Sequence, residues 1–321
     1  MVKQNKIYFI LILLFLIVLY LFNHKSKSTI IKDDLFAVTD TSSITRIFMA
    51  DRQANIIDLK KINNQWILNE EFKVRKDAIN VLLNTISKVK IKRTIPLESI
   101  ETVIKDMAAN GVKIEIFNND KITKSYTIGN ATSDHLGNYM FLNGSKAPYI
   151  THIPGFNGFL SPRYGISVST LNPNTWRDTK IFNYSEDEIM YISLKKFNNI
   201  NQSFYIYKKN EFILKDINDS IVIPNINNIF KLVSNLISLN CESFKEDNAN
   251  IKINNAQPLH QLIVNDDTLL TYPMNNFSNE EKNIKKANVK RMYATVNNGD
   301  LMLIQYYVFN KVLININELK K

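Results

Sequence analysis

The sequence that decides the fold is RKDAINVLLNTISKVKIK, residues 75–92, which has a counterpart in NINNIFKLVSNLISLNCE, residues 225–242. Each segment carries apolar side chains at positions i, i+3, i+4, i+7 and i+10, the pattern of a helix that buries one face. The two stripes match at a constant offset of 150 residues: Ile79, Leu82, Leu83, Ile86 and Val89 in the first, and Ile229, Leu232, Val233, Leu236 and Leu239 in the second. The sequence therefore predicts two equivalent helices within an internal duplication.

Matching strand patterns surround both helices. Alternating apolar residues before each helix predict a hairpin, and a second set after it predicts an antiparallel meander. The expected turns are Asn63-Asn64, Lys209-Asn210, residues 118–120 and residues 265–267. The first copy also contains an additional helical stretch, LESIETVIKDMAANG, which Gly111 ends. The order hairpin, helix, meander predicts an α+β fold made of two tandem, duplicated antiparallel sheet-plus-helix modules.

The sequence predicts that the chain is divided into four segments. We expect a cytoplasmic tail, membrane anchor and juxtamembrane linker in residues 1–32, and the first α+β module in residues 33–170. Pro173 and its polar neighbours interrupt the periodicity, which predicts a linker over residues 171–187. The second module is expected over residues 188–321.

The expected anchor is IYFILILLFLIVLYLF, residues 7–22, which contains no charge, Pro or Gly. A helix of this length spans ~24 Å, slightly less than the ~30 Å hydrocarbon core, so Lys6 and Lys25 would extend toward the interfaces. The alternative is a cleaved signal peptide, but no small-x-small cleavage site follows Phe22. The positive-inside count is nearly balanced. We expect a single-pass protein of the inner membrane whose large C-terminal region lies outside the cytoplasm.

The composition excludes several classes of protein. The chain has eight Gly and one Cys, and it lacks phosphate-loop, dinucleotide-binding and zinc-protease motifs. One Cys also excludes an intramolecular disulfide framework. The net charge of +10 comes from dispersed basic residues. We therefore expect a solvated surface attracted to lipid headgroups, and neither a nucleic-acid partner nor a cofactor.

The first copy resembles a known bacterial family. The strings DDLFAVTDTSSITRIFMAD, RKDAINVLLNTISKVKIK, VIKDMAANGVKIEI and GNYMFL…PYITHIPGFNGFLSPRYG occur in order within residues 33–185. Together they resemble the family catalogued as domain of unknown function 4340. The resemblance implies a single-span, membrane-anchored protein of Bacteroidetes-type bacteria. It also implies, by association with gliding-associated ABC-type transport systems, an accessory role in the cell envelope. No catalytic residue carries over from it.

Candidate chemistry is sparse. Asp134, His135 and His152 form a conceivable polar cluster for a metal ion or for acid–base chemistry. Neither HxH nor HxxxH spacing supports a metal site, and none is predicted. The alternative is that His135 in a turn and His152 in a strand bond to the backbone. Cys241 follows an apolar helix with no nearby His to activate it, which predicts a buried, inert thiol.

The segment HIPGFNGFLSPRYG, residues 152–165, contains three of the eight Gly and two of the eight Pro. Such residues fix a defined loop, and aromatic side chains with Arg are frequent anchors of protein interfaces. Phe156, Phe159, Arg163 and Tyr164 are therefore the candidate partner-binding residues. The alternative is that these aromatic side chains fold back and cover the sheet of the first copy.

Two functions remain open at this point. The sequence favours a non-enzymatic, membrane-anchored envelope scaffold or accessory subunit, possible partners being the proteins of an ABC-type transport or gliding-associated system. The alternative is an envelope ligand-binding protein or hydrolase with a site in the cleft of the first module or between the modules. Convergence of Asp134, His135 and Arg163 in a cleft would favour the second function.

Overall fold

The computed structural model describes residues 13–15, 32–245, 256–274 and 290–321. The expected anchor lies outside these residues except for Leu13, Leu14 and Phe15, which are helical and exposed. Among the helices of the described residues, none has both the length and the apolar composition that a membrane crossing requires.

In the described part of the chain, the first of two large antiparallel sheets has nine strands. Its middle strand pairs link β1 to β6 and β6 to β7. In spatial order the strands are β4 (Phe72–Lys73), β3 (Gln65–Leu68), β2 (Ile56–Ile62), β1 (Arg46–Ala50), β6 (Val112–Asn118), β7 (Lys121–Ala131), β8 (Asn138–Leu142), β9 (Tyr149–His152) and β5 (Lys90–Thr94).

The second sheet repeats this order, again with nine strands among the described residues. They are β15 (Ile221–Val222), β14 (Phe212–Asp216), β13 (Phe204–Lys208), β12 (Tyr191–Lys196), β17 (His260–Val264), β18 (Asp267–Pro273), β19 (Arg291–Val296), β20 (Met302–Gln305) and β16 (Ser243–Phe244). A separate small hairpin joins β10 (Ile166–Ser167) to β11 (Thr170–Leu171). Every strand of one large sheet thus has a counterpart in the other, and the α+β organisation in two modules is confirmed.

The helices bury the stripes that the sequence predicts. Helix α1 (Lys76–Lys88) and helix α3 (Ile226–Ile237) are the equivalent pair, and α2 (Leu97–Asn110) is the additional helix of the first copy. Two short helices, α4 (Tyr306–Phe309) and α5 (Ile316–Leu319), follow β20. All five stripe residues of the second copy are buried, and in the first copy only Leu83 is partly exposed. Burial of these side chains against the sheets supplies most of the stabilisation of helices this short.

The predicted turns are confirmed where Asn adopts left-handed backbone angles. Asn63 and Asn64 have φ of 48° and 64° and connect β2 to β3. Asn119 and Asn265 both have φ of 51° in the two equivalent turns after the helices. Asn tolerates this conformation better than other non-glycine residues, so these turns fix the hairpin register locally.

Backbone hydrogen bonds locate the junction between the copies. Arg75 N–H donates to the Trp176 carbonyl (2.9 Å), and Asp178 N–H donates to the Lys73 carbonyl (2.8 Å). In the second copy, Asn225 N–H donates to the Leu319 carbonyl (2.7 Å) and Lys321 N–H to the Ile223 carbonyl (3.1 Å). The bridges Val74–Arg177 and Pro224–Lys320 complete the match. Residues 176–178 and 319–321 therefore cover the same outer sheet edge in their respective copies.

The start of each copy is matched in the same way. Ile91 N–H donates to the Asp33 carbonyl (2.7 Å), and Cys241 N–H donates to the Thr179 carbonyl (2.9 Å). The first copy thus ends at Asp178 and the second begins at Thr179. Within residues 171–187, expected as a linker, residues 176–178 therefore pair with the first copy and residues 179–181 with the second.

The chain forms two compact units, and the boundaries of these units differ from the boundaries of the two copies. One comprises residues up to Ile56 with Val81–Leu171, and the other comprises Ile57–Asn80 with Asn172–Lys321. Ile57–Asn80 belongs to the second unit because residues 73–75 bond to residues 176–178. The core of the second unit includes Ile181 and Phe182, within the expected linker.

Candidate functional site

The loop at residues 152–165 is organised by a buried amide. The side-chain oxygen of Asn138 accepts hydrogen bonds from the backbone N–H groups of Leu160 and Ser161 (2.5 and 3.2 Å). Its amide nitrogen donates to the Gly129 carbonyl (2.9 Å) and to Ser161 Oγ (2.6 Å). Gly165 ends the loop with φ of 68°, which favours glycine. The loop is therefore a fixed structure attached to β8.

Tyr164 is the one candidate partner residue that lies in the core. Its side chain is fully buried, and its hydroxyl is 3.0 Å from the Tyr126 hydroxyl. Burial raises the pKa of both phenols, so each stays protonated. Tyr164 was expected to contact a partner, and the structure corrects this expectation, because a fully buried ring is not accessible to a partner.

The other three side chains fold toward the first copy. Arg163 Nε donates to Thr85 Oγ1 on helix α1 (2.8 Å), and its guanidinium lies 4.9 Å from the centroid of the Phe156 ring. The Phe159 ring lies 5.8 Å from the ring of His135. Phe156 keeps 36% of its surface exposed. Of the four candidate partner-binding residues, only Phe156 is therefore exposed.

Asp134, His135 and His152 do not assemble into one site. Asp134 accepts from the Thr132 hydroxyl and the Leu136 N–H (3.0 Å), and these bonds lower its pKa. His135 is an exposed turn residue with φ of 55°. His152 lies on β9, where burial, followed by the charges of Lys92 and Lys90, lowers its pKa.

Each of the three thus has its own local environment. Within the described ranges, no group of three His, Cys, Asp or Glu side chains is close enough to hold a metal ion. Asp134 and Arg163 have separate partners, Thr132 and Thr85, so the convergence that would indicate a polar active site is not observed.

A half-buried polar pair in the second sheet, His260 and Lys196, had no signal in the sequence. His260 Nδ1 is 2.9 Å from Thr271 Oγ1, and Lys196 Nζ donates to Asn315 Oδ1 (2.6 Å). His260 and Lys196 face each other across β17 and β12. Burial, with the charge of Lys196, lowers the pKa of His260 to about 4. The imidazole is therefore neutral near pH 7.

A cavity of about 720 Å³ opens within the second unit. Trp66 of β3, the first turn of α1, residues 178–180, Asn183 and residues 240–242 form its walls. Cys241 belongs to the lining, but it is buried, and burial raises the pKa of its thiol to about 11. The predicted burial of the Cys241 thiol is confirmed. Because the thiol is protonated near pH 7, it is a poor nucleophile.

The outer edge of the second sheet carries exposed apolar side chains. Ile221, Ile223, Ile226 and Phe230, here called the apolar rim, are between 40% and 75% exposed. Ile221 belongs to β15, Ile223 follows that strand directly, and Ile226 and Phe230 are one turn apart on α3. The Phe230 ring packs edge-on against Phe212, with centroids 5.5 Å apart.

Comparison of the two copies indicates that the fold does not require apolar side chains at the positions of the apolar rim. The strand and helix register equates the apolar rim with Glu71, Lys73, Lys76 and Asn80 of the first copy. The same four structural positions are therefore polar in one copy and apolar in the other. An exposed apolar group that the scaffold does not need is a common mark of an interaction surface.

Comparisons with known proteins return no match to this chain among family models, curated proteins or solved structures. The resemblance to the domain of unknown function 4340 family therefore stays a prediction.

Proposed function

We propose that this chain is a membrane-tethered, non-enzymatic scaffold of the cell envelope that holds a partner protein on its second copy. The apolar rim carries the proposal, because four large apolar side chains stand where the equivalent copy has polar ones. The tether is the apolar segment at residues 7–22, and the region that follows lies outside the cytoplasm. A subunit of a transport system is the partner class that the family resemblance favours.

Charge indicates the chemistry of the partner. Lys320 and Lys321 lie beside the rim, since their backbones pair with Pro224 and Ile223. Both side chains are exposed, whereas Asp219 near β15 is already paired with Lys215 (2.8 Å). The matching partner surface presents apolar side chains flanked by Asp or Glu. Ion pairs between these lysines and the partner's carboxylates would increase the association rate and the specificity more than the affinity.

The hydrolase alternative has less support. Asp134 and Arg163 are hydrogen-bonded to different neighbours, Cys241 is protonated, and His260 is packed within a sheet. A nucleophile with an adjacent oriented base is the minimum that hydrolysis of this kind requires. The arrangement of these side chains favours contact over catalysis.

Site-specific photocrosslinking of the full chain in native membranes tests the proposal. A photoreactive residue replaces Ile221, and the matched control carries it at the equivalent position Glu71. We expect a discrete adduct from Ile221 only, whose partner peptide contains apolar residues next to Asp or Glu. The double change Lys320→Glu and Lys321→Glu should reduce the adduct severalfold. Equal labelling from Glu71, or adducts with lipid alone, would contradict the proposal.

A further inference from the structure

The cavity of the second unit has a charge distribution suited to an anion. Seven charged residues line it: Lys73, Arg75, Lys76, Lys180, Asp77, Asp178 and Glu242. Arg75 is paired with Asp77 through bonds of 3.1 and 2.5 Å, which lower the pKa of that carboxyl. Glu242 is paired with Arg291 (2.7 Å), which lowers its pKa also.

The lysines of the lining are not neutralised in this way. Lys73, Lys76 and Lys180 have no carboxylate within ion-pair distance in the part of the chain that the structure describes. Asp178 Oδ1 accepts from the Lys180 N–H (3.2 Å), so one of its oxygens is already engaged. The cavity therefore offers several ammonium groups to a ligand and few unengaged carboxylates.

The rest of the lining limits the ligand further. Trp66 is partly exposed on β3 and offers an indole surface to the cavity. The amides of Asn64, Gln65, Asn183 and Asn240 supply both donors and acceptors. Aromatic surface beside amide side chains suits a ring that has one apolar face and hydroxyl groups at its edge.

From this lining we infer that the cavity binds an acidic carbohydrate, with the sugar ring on Trp66 and its carboxylate at Lys73, Lys76 or Lys180. A nucleoside triphosphate fits less well, because four basic and three acidic residues line the cavity, a balance that suits a single negative charge better than several. One carboxylate per sugar satisfies the lysines, while hydroxyl groups can donate to the carboxylates.

Comparison with the second copy supports a ligand-binding role for Lys73 and Lys76. The positions equivalent to Lys73 and Lys76 are Ile223 and Ile226, so the shared fold does not require a cation at either. The inference concerns binding and no bond rearrangement, and it is independent of the partner role of the apolar rim. Both could operate in the same molecule.

Calorimetric titration of the full chain in mild detergent tests the inference, with trigalacturonate as the probe. Galactotriose is the uncharged control, and inorganic phosphate is the control for an unspecific anion. We expect saturable binding of trigalacturonate alone. Lys73→Ala with Lys180→Ala should weaken it at least about tenfold, since each charge-assisted bond is worth roughly that factor. Lys146→Ala, an exposed lysine outside the cavity, should leave binding unchanged.

Fluorescence gives a second readout, because the chain contains only two Trp, Trp66 and Trp176. In a Trp176→Phe variant the emission reports Trp66 alone, and trigalacturonate should shift or quench it. No saturable binding, equal affinity for galactotriose or phosphate, or an unchanged affinity in the double lysine variant would each overturn the inference. A loss of binding in Trp66→Ala with native circular dichroism would support it.

Discussion

The guanidinium carbon of Arg177 lies 3.7 Å from the centroid of the Phe72 ring. It lies at the same distance from the Phe244 ring, and its terminal nitrogen forms an ion pair with Asp300 (2.7 Å). The side chain is only 12% exposed. Arg177 therefore joins β4, β16 and the loop before β20 inside the second unit.

Replacing Arg177 should destabilise the protein strongly. Arg177→Ala removes two cation–π contacts worth ~1–2 kcal/mol each and leaves Asp300 without its ion pair, so we expect a loss of about 2–4 kcal/mol. The free energy of unfolding from urea denaturation measures this. The control is Lys320→Ala, the equivalent position in the second copy, which is exposed and should change stability by less than ~0.5 kcal/mol. Equal effects of the two substitutions would refute the role of Arg177.

Replacing Asn138 should release the loop at residues 152–165. Asn138→Ala leaves the Leu160 N–H and the Gly129 carbonyl without partners, which should cost about 2–3 kcal/mol. Limited proteolysis should then cut within this loop before any other site, and urea denaturation should register the loss. Asn143→Ala, at an exposed turn position, is the control and should behave as the parent. Resistance of the Asn138 variant to cleavage would contradict this expectation.

Stability should fall in mild acid partly through His260. The pKa of about 4 in the folded protein lies below the ordinary 6.5, so the unfolded chain binds the proton more readily. The stabilisation is complete above pH 6.5 and is lost as the pH falls toward 4. Because the ring is partly exposed, we expect an effect on the order of 1–2 kcal/mol.

The comparison that isolates this effect uses His260→Gln. Its free energy of unfolding should depend less on pH between 6.5 and 4 than that of the parent. Identical curves for this variant and the parent would mean that His260 does not titrate as its environment indicates.

Deleting residues 1–31 should release the protein from membranes, because residues 7–22 form the apolar segment expected to span the bilayer. Carbonate extraction and fractionation of cells that carry the full or the shortened chain provide the measurement. Intact mass analysis of the membrane-bound protein should find residues 7–22 present. A mature chain that begins after Phe22 would instead support the signal-peptide alternative.

The repeated local structure can be predicted from the order of residues alone. The stripes from Ile79 to Val89 and from Ile229 to Leu239 predicted the equivalent helices, and Asn63-Asn64 predicted a turn that the backbone angles confirm. These features follow from spacing along the chain, so one segment contains all the information needed. The two-module α+β class follows from their order.

Which distant residues come into contact depends on the tertiary structure. Nothing local indicates that Arg75 bonds to Trp176, that Tyr164 points into the core while Phe156 stays exposed, or that His260 faces Lys196. Strand pairing and side-chain burial depend on the packing of the whole unit, and many pairings satisfy the same alternating pattern. The cavity and the exposure of the apolar rim both depend on this packing, so neither could be predicted from the sequence.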